Sequence, residues 1–279
     1  MRIANEVVAP DGTKKYLIEL DDKKFVESVL IHHKRTLCAC ISSQVGCAMK
    51  CAFCATGKMG FSRNLSEKEI VGQIDLMEAH TKDKITNVVF MGMGEPLHNY
   101  DNVLAAVKEL HKKGIRLQRI TVSTVGIPDK IVKFGKDAKC QLALSLHAPT
   151  DELRSKIVPL NTKYSIREVL DACRQVPFTK KRPLMIEYVL LSDVNDEEEH
   201  ANELALLLKQ FPYVMVNLIP YNPISGADFK RPSKESAEKF KKILIDAGVK
   251  TIIRTTKGLE GNAACGMLST KNDLKVLSA

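Results

Sequence analysis

From residue 36 onward, short apolar runs alternate with longer segments in which apolar residues recur every three to four positions. The runs Thr36–Ser42, Thr86–Met91, Arg119–Thr124, Cys140–Leu146, Leu184–Leu190 and Val214–Pro220 have strand length and composition. Between them, Ser66–Thr81, Tyr100–Lys113, Ser165–Gln175 and Asp196–Lys209 carry the helical period. Ser66, followed by Glu67 and Glu69, supplies a helix start, and Asp193–Glu199 puts acidic residues at the start of another. Ser233–Ala247 predicts a further helix and Val249–Arg254 a last strand. Strand–helix alternation implies a parallel sheet with crossover connections. Six such units predict an α/β fold, a partial (β/α)6 barrel rather than the eight-unit form. Ahead of it, Asn5–Ala9, Lys15–Leu20 and Lys24–Ile31 read as strands, with turns at Pro10-Asp11-Gly12 and Asp21-Asp22. The chain therefore divides into an N-terminal β extension, 1–33, and a barrel, 34–279.

Barrel enzymes work at the C-terminal ends of their strands. A loop holding Cys47, Cys51 and Cys54 follows the first strand. Three thiolates in a C-x3-C-x2-C spacing can hold three irons of a cubane iron–sulfur cluster and leave one iron open. A structural zinc site wants four ligands in C-x2-C pairs, so zinc fits less well. The second strand ends in Met91-Gly92-Met93-Gly94-Glu95-Pro96, where glycines allow close backbone approach and Glu95 can accept from an ammonium group. Ser123-Thr124, Ser145-Leu146-His147 and Pro220-Tyr221-Asn222-Pro223 end later strands. Singly, each reads as a turn or helix cap. Together, after successive strands, they predict the rim of a cofactor site.

Composition narrows the picture. The 279 residues are 44% hydrophobic with mean hydropathy −0.11, and no apolar run reaches membrane-spanning length. The first residues lack a signal-peptide apolar stretch, and eight cysteines with three in a metal-type group suit a reducing cytosol. The expected location is cytoplasmic. A net charge of +9 suits a polyanionic partner, although a solvated basic surface gives the same balance.

The three-cysteine spacing, with Phe53 before the last cysteine, resembles the radical S-adenosylmethionine (SAM) signature. Further stretches are similar to the RlmN/Cfr-type RNA adenosine methyltransferases: SSQVGCAMKCAFCATG, FSRNL, MGMGEPL, STVGIP, SLHAPTDELR, IVPLN, NLIPYNP and AACGML. They span Glu27 to Leu268, nearly the whole chain. The resemblance implies a 4Fe–4S cluster on Cys47, Cys51 and Cys54 whose open iron chelates SAM. It implies SAM contacts at Gly94, Glu95, Ser123, Ser145, Leu146, His147 and Asn222. It also implies two SAM per turnover, with Cys265 methylated by the first. A 5′-deoxyadenosyl radical from the second takes hydrogen from that methyl group, and the resulting carbon radical adds to the adenine ring. Glu27 then matches the acceptor of the ring proton, and Cys40 the thiol that releases methyladenosine, leaving a Cys40–Cys265 disulfide. The implied partners are ribosomal or transfer RNA and an electron donor such as flavodoxin or ferredoxin, with no membrane, for a monomer.

The residues alone leave points open. Strand alternation puts Cys38 and Cys40 on one face, so periodicity cannot choose between them; the family register chooses Cys40. Glu27 by itself is an ordinary strand carboxylate, and Cys140 and Cys173 fit core positions. The resemblance brings with it an N-terminal helical domain, of which no counterpart is expected within these 279 residues. GLEGNAACGML stands where relatives carry a DIDAACGQL-like stretch, and the chain ends eleven residues after Leu268. These departures bear on the RNA rather than the chemistry. MGMGEPL and SSQVGC look closer to the branch acting on adenine carbon 2 than on carbon 8. The target base must leave its stack to be reached. Two other classes stay open: a radical SAM enzyme acting on a protein or small molecule, and a non-catalytic iron–sulfur RNA-binding protein.

Overall fold

The sheet of the computed structural model, which describes residues 1–33 and 36–270, changes direction at one strand. Strands β1 (Arg2–Val8), β2 (Lys14–Glu19), β3 (Phe25–His33) and β4 (Thr36–Cys40) pair antiparallel in sequence order. Next comes a small antiparallel hairpin, β5 (Gln44–Gly46) and β6 (Phe61–Asn64), enclosing the short helix α1 (Ala55–Met59). The chain then runs α2 (Glu67–Thr81), β7 (Asn87–Phe90), α3 (Tyr100–Lys112), β8 (Ile120–Thr124), α4 (Pro128–Asp137) and β9 (Gln141–Ser145). It continues with α5 (Asp151–Ile157), α6 (Ile166–Arg174), β10 (Leu184–Leu190), α7 (Glu198–Leu208), β11 (Val214–Pro220), α8 (Lys234–Asp246) and β12 (Lys250–Ile253). From β4 onward every neighbour in the order β4-β7-β8-β9-β10-β11-β12 is parallel. That is six strand–helix units and a last strand, as the periodicity predicts. The sheet keeps β1 and β12 as its two ends, so the barrel is open.

The expected boundaries shift for physical reasons. Strand β4 ends two residues short of Ser42 because side chains take over its hydrogen bonding. The Ser42 N–H donates to Gln73 Oε1 at 2.8 Å and its hydroxyl to the Glu27 carbonyl at 2.6 Å. Ser66 caps α2 in a reciprocal box with Glu69, as its position predicts. Two helices are absent from the sequence reading. Helix α4 is ten residues long and amphipathic, burying Ile131 and Phe134 with lysines interspersed, so its period was there to be read. In α5 the buried residues are Ile157 and Arg154, and a buried arginine counts as polar in any periodicity.

The strands supply a dense apolar interior, with Val88, Phe90, Val122, Leu144, Ile186, Val216 and Leu218 all almost fully buried. Each buried aliphatic or aromatic side chain contributes roughly 1.5–3 kcal/mol of burial. This rigid sheet is what holds the strand ends in place. Among the described residues no helix is long and apolar enough to cross a membrane.

Candidate active site

The hairpin β5–β6 presents the cysteine loop. Gly46 has φ +76°, and a Cβ there would lie 1.9 Å from the Gly60 carbonyl oxygen, so only glycine fits the crossing. The Cys47 N–H donates to that same oxygen at 2.8 Å. The C-terminal segment clamps the other side. The Ala55 N–H donates to the Gly266 carbonyl at 2.8 Å and the Thr56 hydroxyl to the Leu268 carbonyl at 2.7 Å.

Cys47, Cys51 and Cys54 then line one cavity of about 170 Å³, with Glu95, Ser123, Ser145, His147 and Cys265 on its other walls. Burial pushes the Cys47 thiol up to about 12 and Cys51 well above its ordinary value, and each is raised further by its neighbouring thiols. Such thiols hold their protons until a metal centre displaces them. Among the described residues no three His, Cys, Asp or Glu groups converge as they would on one ion. Three soft donors spread along a cavity wall fit an iron–sulfur cubane with an open iron better than a closed single-metal site.

The rim is fixed by backbone. Gly94 has φ +104°, and a Cβ there would strike the Gln44 side chain at 2.6 Å. Glu95, buried beside it, accepts from the Leu97 N–H at 3.0 Å and the Val125 N–H at 2.9 Å. Burial nevertheless raises its carboxyl to about 7. The Thr124 side chain bonds this carboxyl as well, and three donors leave at least one lone pair for a further one. The Ser123 and Ser145 hydroxyls stand 3.2 Å apart. His147 has φ +62° and accepts from the Val189 N–H on Nδ1 at 3.0 Å, so its proton sits on Nε2. Burial holds this imidazole neutral, down to about 3. Phe53 of the cysteine loop packs edge-on against it at 4.8 Å.

Not every predicted contact lies in this cavity. Leu146 sits behind it, fully buried, its N–H donating to the Glu187 carbonyl and its carbonyl accepting from Arg154. Asn222 lines a second cavity of about 70 Å³ together with Cys40, Arg254 and Cys265. There the Asn222 amide donates to the Cys265 carbonyl at 3.0 Å and accepts from Arg231 at 2.8 Å. Cys265 is common to both cavities and exposed to them. Cys40, not Cys38, lines the second. No disulfide links the described cysteines. Glu27 lines neither cavity: it is fully buried, paired with Lys15 at 3.0 Å, and accepts from the Ser269 N–H at 2.7 Å.

Three residues escape the sequence reading. Arg154, fully buried, donates to the carbonyls of Val125, Ser145 and Leu146 and to Asn161 Oδ1, tying three rim segments to one guanidinium. Glu187 and Arg254 stand near Cys265. Their signals were present: Glu187 is a carboxylate within the apolar run LMIEYVLL, and Arg254 ends a barrel strand.

Comparison with known proteins agrees with this geometry. Residues 41–205 match the Radical SAM superfamily model. A Thermotoga petrophila protein named probable dual-specificity RNA methyltransferase RlmN is 50% identical over 265 residues, 94% of this chain and 77% of that protein. A protein of the same name from a Picosynechococcus species is 46% identical over 96% of this chain and 78% of its own length. The crystal structure of a radical SAM methyltransferase from Sphaerobacter thermophilus superposes with a TM-score of 0.91 at 40% identity, covering 96% of this chain and 81% of that one.

Proposed function

Because this chain belongs to the RlmN family of radical SAM enzymes, which use a 4Fe–4S cluster and SAM, we propose that it methylates an adenine ring carbon, carbon 2, in RNA. The observation that carries this reading is the shared position of Cys265. It faces the cysteine triad in one cavity and Cys40 in the next.

Cys47, Cys51 and Cys54 would hold the cluster, which when bound supplies the electron that cleaves SAM to a 5′-deoxyadenosyl radical. Gly94 opens backbone room for the methionine end, and Glu95 offers its remaining lone pairs to the ammonium. Ser123, Ser145 and the Nε2–H of His147 line the wall where ribose and adenine would lie. Leu146 acts from behind that wall, and Asn222 orients the Cys265 backbone. Cys265 takes a methyl group from one SAM, and its thioether carbon is then joined to the adenine. Cys40 displaces that carbon from sulfur. Glu27 takes the ring proton only if its pair with Lys15 opens, since it lies outside both cavities; in the closed state it ties the C-terminal segment to β3. Residues 1–33 are, on this reading, an extension of the catalytic sheet. The RNA is ribosomal or transfer RNA in the cytoplasm, flavodoxin or ferredoxin donates the electron, and the enzyme works as a monomer.

The test is anaerobic incubation of reconstituted protein with SAM, reductant and total RNA, followed by mass spectrometry of nucleosides. The reading requires 2-methyladenosine to form. Its absence, with SAM still cleaved, would turn the assignment to a protein or small-molecule substrate.

A further inference from the structure

Arg254 follows β12, and its N–H donates to the Leu218 carbonyl at 2.8 Å, extending the β11–β12 pairing to the rim. Its guanidinium is half-buried in the second cavity. Among the described residues it makes no side-chain hydrogen bond or salt bridge. A guanidinium withdrawn from water without a partner is costly, and an anion is what offsets that cost. The Glu187 carboxylate offsets part of it, each charge favouring the other, and the groups lining the cavity with Arg254 that can become further anions are two thiols, Cys40 and Cys265. Withdrawal from bulk water raises both thiols, although Cys265 keeps an exposed face; the Arg254 charge is the leading opposing influence on Cys265, and a weaker one on Cys40, where Cys265 and Cys38 outweigh it.

The other charged or titratable groups facing Cys265 are few. Glu187 on β10 accepts from the Asn217 amide at 2.6 Å on Oε1, while Oε2 is buried without a partner. Its charge opposes ionisation of Cys265, as does the Cys54 thiol, and His33 and Lys257 complete the edge of the second cavity.

We propose that Arg254 is the shared cation of the two-thiol cavity, making thiolates of Cys265 and then of Cys40 accessible at the step each performs. This rests on the methylated-cysteine reading above. In the first step the Cys265 thiol loses its proton to water. Its sulfur lone pair forms the S–CH3 bond as the methyl–sulfonium bond of SAM breaks, releasing S-adenosylhomocysteine with no change of oxidation state. In the second, the Cys40 thiolate forms an S–S bond with Cys265. The C–S bond breaks with its electron pair going to the adenine-bound carbon, which takes a proton. The two sulfurs are oxidised by two electrons and the carbon is reduced by two. Both steps need a thiolate, since the thiol is a poor nucleophile. A positioned cation serves both.

The test reads thiolate formation without SAM. Cluster-reconstituted full-length protein is alkylated anaerobically with iodoacetamide across a pH series, and the Cys265 peptide is followed by mass spectrometry. Arg254→Gln should move the alkylation profile up by about one pH unit, about tenfold slower below its midpoint. Arg254→Lys, which keeps the charge, should stay close to wild type. Glu187→Gln, which removes an opposing charge, should speed alkylation. That opposite sign is not expected of packing damage, and these two variants keep the test alive if Arg254→Gln does not fold. An Arg254→Gln profile superimposed on wild type overturns the proposal. So does equal slowing by Arg254→Lys with no change for Glu187→Gln. Loss of RNA affinity with unchanged alkylation overturns it too, and makes Arg254 a phosphate contact. Parallel incubation with SAM separates the two readings: Arg254-dependent alkylation of a Cys265 that SAM never methylates leaves the cation in place and removes the methyltransferase assignment.

Discussion

The two cavities that meet at Cys265 are built in opposite ways. The first takes its three cysteines from eight consecutive residues, 47–54, on one hairpin-borne loop. The second draws Cys40 from β4 and Cys265 from the C-terminal segment, which the barrel closes against it. A local loop can carry a ligand set in its spacing, because the chain path fixes how far apart the side chains lie. A pair so distant in sequence has no spacing to read, and only the topology brings the two thiols together. The comparison also separates their chemistry. Of the loop thiols, Cys47 and Cys51 are buried and Cys54 is half-buried, whereas Cys265 is exposed and lines both cavities.

The largest expected effect breaks the first cavity. Cys51→Ala should remove the cluster and with it all SAM cleavage, read as iron content and 5′-deoxyadenosine; full cluster content in this variant would refute the ligand assignment. Next comes the second cavity, where two variants should fail differently. Cys40→Ala should accumulate protein joined covalently to RNA through Cys265, while Cys265→Ala should carry none. Denaturing gels of both, purified with cellular RNA, decide it. An adduct in Cys38→Ala instead of Cys40→Ala would move the releasing thiol two residues along β4.

Two smaller effects concern the rim of the first cavity and have opposite signs with pH. His147 folds with its pKa lowered from 6.5 to about 3, so it contributes stability above pH 6.5 that is lost as pH falls toward 3. His147→Asn keeps an acceptor for the Val189 N–H and tolerates the positive φ, and it should flatten that acid limb by up to about 4 kcal/mol. Glu95 is raised from 4.5 to about 7, so its contribution is present below pH 4.5 and lost as pH rises through 7. Glu95→Gln should cancel that loss, about 3 kcal/mol at most. Urea unfolding of apoprotein between pH 3 and 8 measures both. A difference from wild type that does not vary with pH would show that neither group changes its protonation on folding.

SAM affinity sharpens the Glu95 assignment further. Its two backbone donors already occupy part of the carboxylate. Losing one charge-assisted bond to the ammonium in Glu95→Gln should weaken SAM binding by roughly 1.5–3 kcal/mol, about ten- to a hundredfold. Unchanged affinity by calorimetry would leave Glu95 as a brace between the rim segments at Leu97 and Val125.

Hydrophobic period alone determined the parallel strands, five of the helices that cross between them, and the antiparallel strands before them. These follow from side-chain alternation, which is local. The cysteine triad of the loop was legible for the same reason, and the glycines Gly46 and Gly94 mark crossings that admit no side chain. Helix α5 was not legible, because its buried face is Ile157 and Arg154 and a buried arginine leaves no apolar trace; α4 carries its period in Ile131 and Phe134 and was legible, though passed over. Strand alternation could not separate Cys40 from Cys38; the family register pointed to Cys40, and the tertiary structure sets Cys40 in the cavity with Cys265. It withdrew Leu146 and Glu27 from the cavity surfaces, and it set Arg254 among the thiols. Each of these depends on where strands far apart in sequence lie side by side. A residue's type and its neighbours in the chain say what it can do; the sheet order says what it faces.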